Sequence, residues 1–61
     1  MIMDNTVFVQ AQDEQGMWRT YIVTVNDSVV LLASMRSLKT RFPKYRIRAI
    51  DGQGKIVDIL G

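Results

Sequence analysis

The sequence predicts an α+β domain ordered β-β-α-β-β, with one helix packed on one face of a four-stranded, mainly antiparallel sheet. Three patterns carry this expectation. Two pairs of segments alternate apolar and polar residues, the period of a half-buried strand. Each pair is joined by a short turn bearing glycine, at "DEQG" and "DGQG". Between the pairs, Leu31, Met35, Leu38 and Phe42 recur at helical spacing.

Residues 5–12, "NTVFVQAQ", alternate over β-branched and aromatic side chains and predict the first strand. "DEQG" (13–16) is a turn in which Gly16 is free to take positive φ. "MWRTYIVTV" (17–25) is the second strand. "NDS" (26–28) supplies N-cap chemistry, because a short side-chain oxygen can accept from the unpaired N–H groups of a first helical turn. The helix that follows has its stripe widened by Val30 and Leu32, and Pro43 ends it by disfavouring helical backbone in the residue before it. "KYRIRAI" (44–50) and "KIVDIL" (55–60) are the third and fourth strands, joined by the turn "DGQG" (51–54). The chain shows no linker or second domain, so residues 1–61 are expected to be one unit. The two hairpins do not match well enough to be called a repeat.

Alternation assigns side chains to two faces. The expected helix-facing set is Val7, Val9 and Ala11; Tyr21, Val23 and Val25; Tyr45, Ile47 and Ala49; Val57 and Ile59. The expected open set is Phe8, Trp18, Thr20, Ile22, Arg46, Arg48, Ile50, Ile56, Asp58 and Leu60. A sheet face left to water should be polar. This one keeps two aromatic and four aliphatic residues, and a one-residue slip in any strand would exchange its faces.

Composition narrows the chemistry. The 61 residues contain no cysteine and no histidine, which removes disulfides, thiolate metal sites, the commonest general base and the usual pH switch. Ser28, Ser34 and Ser37 therefore lack a histidine to activate them, and Asp13, Glu14, Asp51 and Asp58 form no opposed carboxylate pair. "DGQG" lacks the lysine–serine ending of a phosphate-binding loop and opens no helix. The expectation is a protein that is not an enzyme and holds no metal, cofactor or small-molecule substrate. No apolar run approaches a membrane span, and "MIMDNTVFVQ" lacks the pattern of a secretory signal, so a cytoplasmic, non-membrane protein is expected.

Charge is uneven. Residues 1–35 carry one cation against four acids, whereas residues 36–61 carry seven cations against two. "RSLKTRFPKYRIR" (36–48) holds six cations and no acid. Arg36, Lys39, Arg41 and Lys44 form a basic patch around the end of the helix, where cations oppose the negative end of its dipole. Arg46 and Arg48 fall on the open face.

Two functions follow. The first is a small regulatory or inhibitor-like protein-interaction module. Its partner, another protein or a second copy in a homodimer, is bound by Phe8, Trp18, Ile22 and Ile56, with Arg46 and Arg48 at the rim beside Arg19 and Asp58. Asp58 would lie across from Arg46 or Arg48 as an ion pair. The second is a single-stranded nucleic-acid binder in which Arg46 and Arg48 hold phosphates while Phe8 and Trp18 stack bases. In layout alone, with no motif residue carrying the likeness, the chain resembles very small proteins of phages and mobile elements, some of which inhibit host machinery.

Overall fold

The structure, a computed structural model, describes residues 5–60. The reading of the first residues as lacking a signal rests partly on positions outside this range. Among the described residues the order is β1 (Thr6–Gln12), β2 (Trp18–Val25), α1 (Ser28–Arg41), β3 (Arg46–Asp51) and β4 (Ile56–Leu60). The strands form one antiparallel sheet in the order β2-β1-β3-β4. β1 and β3 are central and the two hairpin returns are edges. No helix of the described residues is long and apolar enough to cross a membrane.

The two turns use the same chemistry. Asp13 Oδ1 accepts from the backbone N–H groups of Gln15 and Met17, each at 2.9 Å. Asp51 Oδ1 accepts from Gln53 and Lys55 at the same distance. Each turn closes on a glycine at φ 83° that donates to the aspartate carbonyl at 3.0 Å. A β-carbon at that φ is strained, so glycine is the residue both turns require. The sheet centre is duplicated as well: Val9 faces Ala49, Ile47 faces Ala11, and Gln10 faces Arg48 between them.

Asp27, within the expected "NDS", caps α1: its Oδ1 accepts from Val29 and Val30 N–H at 3.0 and 3.1 Å. Phe42, directly before Pro43, closes the last turn by donating its N–H to Leu38 O. Tyr45 N–H then donates to Phe42 O, so Lys44 and Tyr45 belong to a turn and β3 begins at Arg46, later than the alternation suggests. The core is Val7, Val9 and Ala11 from β1, Leu31, Met35 and Leu38 from α1, and Ile47 and Ala49 from β3. Val30 and Leu32, expected to widen the helical stripe, are exposed. Fourteen residues of helix cover the two central strands and reach only partly over the edges.

The faces of β2 and β4 differ from simple alternation, because each edge strand carries a β-bulge. Val9 pairs with Ile22 but Gln10 pairs with Thr20, leaving Tyr21 as the extra residue. Ala49 pairs with Asp58 but Ile50 pairs with Ile56, leaving Val57 as the extra residue. A bulge sets two residues of one strand against one of its neighbour, so the alternation changes phase there. Cross-strand partners share a face. Ile22 and Leu60, expected on the open face, therefore lie on the helix side and pack against the core. Val23, Val25 and Ile59, expected in the core, lie on the open face and are exposed. Tyr21, Tyr45 and Val57 are on the helix side as expected.

Candidate functional site

With the phase corrected, the open face resolves into rows that run across the strands. One row is apolar from edge to edge: Val23, Phe8, Ile50 and Ile56. The next row toward the β1–β2 turn is Thr20, Gln10, Arg48 and Ile59, followed by Trp18, Gln12 and Arg46. On the other side of the apolar row lie Val25 and Thr6. The open face thus has an apolar half and a polar, cationic half. Along it, Val23 is 62% exposed, Val25 and Ile56 49%, and Ile59 51%, so four aliphatic side chains stand in water.

The polar half is internally bonded. Arg48 Nε donates to Gln10 Oε1 at 2.8 Å, and Gln10 Nε2 donates to Thr20 Oγ1 at 2.9 Å. The Arg48 guanidinium lies over the Trp18 ring, 4.1 Å from its centroid, well inside the range of a cation–π contact. The contact reaches across β1, with the cation on β3 and the ring on β2. The expected pairing of Asp58 with Arg46 or Arg48 is absent. Asp58 lies across from Ala49 on the helix side, and its Oδ1 accepts from Ile59 N–H. Arg19 is likewise not at the rim of the open face. It pairs with Ala11 on the helix side and binds Asp13 Oδ2 at 3.1 Å.

Of the six residues expected to bind a partner, Phe8, Ile56, Trp18, Arg46 and Arg48 are brought together on the open face, and Ile22 is not. Val23, Val25 and Ile59 were missed. Alternation gave no signal for them, because Tyr21–Ile22–Val23 and Ile59–Leu60 are apolar on both faces of their strands.

The basic patch lies on the opposite side, at the end of α1. Lys39 Nζ donates to Tyr45 O at 2.8 Å and is tied down, while Arg36, Arg41 and Lys44 are exposed. Arg41 sits 5.5 Å from the Phe42 ring centroid. Phe42 stacks on Tyr45 at 5.3 Å and 9° and meets Tyr21 at 4.9 Å and 45°. This ladder of three rings fastens the helix end to the sheet. A shallow polar cleft beside it is lined by Asp13, Glu14, Gln15, Arg19 and Tyr45. Both Asp13 oxygens are engaged there. The bond from Met17 N–H holds the Asp13 carboxyl below its ordinary value against desolvation, with further lowering by the bonds from Arg19 and Gln15. Among the described residues no polar or charged side chain is buried, and no three metal-ligating side chains cluster.

No protein-family model, curated protein or solved structure matches this chain. Its function is read from the chemistry of the open face.

Proposed function

We propose that this protein is a non-enzymatic interaction module that self-associates through the open face of its sheet. One observation carries this reading: the unbroken apolar row Val23–Phe8–Ile50–Ile56, flanked by exposed Val25 and Ile59. Contiguous apolar surface on so small a domain marks a contact site. Among the described residues the fully buried core holds eight side chains, which is little for a chain near the lower size limit for folding alone. A second layer on the open face supplies burial that one helix cannot.

The magnitude is modest. Completing the burial of Val23, Val25, Ile56 and Ile59 is worth about 1 kcal/mol each, half the usual value for a whole aliphatic side chain. Two copies gain about 8 kcal/mol before association costs of roughly 4–15 kcal/mol. Strands about 4.8 Å apart give four of them a footprint of about 400 Å² per copy, below the roughly 600 Å² per partner at the low end of stable specific interfaces. Against the low end of the association cost about 4 kcal/mol is left, so the expected dimer is weak, with a dissociation constant of about millimolar order.

Single-stranded nucleic acid on the same face would need Trp18 as a stacking platform. The ring face is already covered by Arg48, whose Nε is spent on Gln10, and this favours the protein contact. The test follows sedimenting mass across a dilution series, then Trp18 emission with single-stranded oligonucleotide at about 50 and about 200 mM salt. Self-association predicts a mass that falls to that of the monomer on dilution and depends little on salt. Quenching by oligonucleotide that vanishes at the higher salt would replace this reading with phosphate binding, since counterion release makes such binding steeply salt-dependent.

A further inference from the structure

The open face is polar at one end only, and the charges of the described residues share that polarity along the strand direction. At the end where β1 stops and β3 starts lie Arg19, Lys39, Arg41, Lys44, Arg46 and Arg48, against Asp13 and Glu14. At the other end lie Asp27 and Asp51, against Lys55, with Arg36 and Asp58 between the two. Among the described residues the rows of the open face carry Arg46 and Arg48 and no acid.

Two sheets packed face to face by a two-fold axis can be related in two simple ways. An axis along the strands keeps the strand direction. It lays one basic end over the other and brings the arginine rows of the two copies together. An axis across the strands reverses the direction and lays each arginine row over the Val25–Thr6 side of the other copy, where the rows carry no cation among the described residues. Like charges brought together at an interface are costly, so the second axis is favoured. The apolar row runs across the strands, so this second axis can lie along it and keep apolar side chains in contact from edge to edge.

Resting on self-association through the open face, we infer that the partner is a second copy related by a two-fold axis along the row Val23–Phe8–Ile50–Ile56. Val23 then meets Val23, Phe8 meets Phe8, Ile50 meets Ile50 and Ile56 meets Ile56. Layers about 10 Å apart, with strands about 30° from aligned, accommodate this packing. The row containing Arg48 passes over Val25 and Thr6 toward the Asp51–Gly54 turn of the second copy, and Arg46 remains at the margin. Because the interface is isologous, it closes at two copies and does not propagate.

The chain contains no cysteine, so single cysteines report distances without interference. Val23→Cys and Ile56→Cys are chosen because both side chains are about half or more exposed and neither holds the core. Arg46→Cys is the control. Each variant is treated with a short bismaleimide at concentrations where the wild-type chain sediments as a dimer. Strong self-linking of both Val23→Cys and Ile56→Cys, with at least fivefold less at Arg46→Cys, is the expected result. The two probes sit on opposite edges of the sheet, so pairing through one edge strand links one of them and not the other. Linking of Val23→Cys to Ile56→Cys only in a mixture shows the axis along the strands. Either pattern overturns the arrangement and leaves association through this molecule's sheet intact. A dimer that links at none of the three sites, or a chain that stays monomeric throughout, overturns the self-association on which the arrangement rests.

Discussion

The bulge at Tyr21 makes a prediction opposite to that of plain alternation. Alternation places Val23 in the core and Ile22 in water. The structure packs Ile22 against the core and leaves Val23 62% exposed. Replacing a fully buried isoleucine by alanine costs about 2–5 kcal/mol. Ile22 is half-buried, so Ile22→Ala should cost about 2 kcal/mol. Val23→Ala removes a side chain that keeps only about a third of its burial, and its cost should be about 0.5 kcal/mol, with a few tenths more for lost strand preference. The assay is urea unfolding followed by Trp18 emission at a concentration low enough to keep the chain monomeric. For a domain this small the urea slope is about 1 kcal/mol/M, so the midpoint should fall by about 2 M for Ile22→Ala and by less than about 1 M for Val23→Ala. Raising the protein concentration should stabilise the wild-type chain more than Val23→Ala, because a partner that binds only the folded chain adds stability by mass action. A larger loss for Val23→Ala than for Ile22→Ala at low concentration would refute the bulge and the row built on it.

Three further outcomes follow from local chemistry. Asp27→Ala removes the acceptor for two N–H groups at the start of α1 and should cost about 1 kcal/mol in the same unfolding assay, with Asp27→Asn or Asp27→Ser recovering most of it. Arg48→Met should red-shift Trp18 emission and cost about 0.5–1 kcal/mol by removing the cation over the ring, and Arg48→Lys should not restore the bond to Gln10. Asp13, whose folded-state pKa is lowered by the Met17 N–H and then by Arg19, stabilises the folded chain above its unfolded value, near 3.8, and loses that contribution as pH falls below it toward the lower folded value. Asp13→Asn should therefore flatten part of the acid limb of a stability–pH curve measured by thermal melting.

The element order was legible because local chemistry wrote it. The aspartate and glycine of each turn, the Asp27 cap and Pro43 after the helix are short-range signals that need no partner. The faces of β1 and β3 were legible too, because central strands paired on both sides alternate without interruption. The faces of β2 and β4 were not. "TYIV" and "KIVDIL" are apolar on both sides of any register, so alternation could not locate an extra residue. The bulges also follow from pairing against β1 and β3, a long-range condition. The same limit hid the contacts of Arg48. Nothing in "YRIRAI" indicates that one arginine would reach across β1 to Trp18 while the other stayed at the end of its row. Expected and observed sites therefore agree on the open face as a whole and differ on which aliphatic residues it presents.

Sedimentation equilibrium of the wild-type chain from about ten micromolar to several millimolar, at about 50 and about 500 mM salt, tests self-association most directly. The account predicts a reversible monomer–dimer equilibrium with no species beyond the dimer, changed little by salt and abolished by Phe8→Glu at the centre of the apolar row. A wild-type chain that remains monomeric over the whole range, or a dimer unaffected by Phe8→Glu, would contradict it.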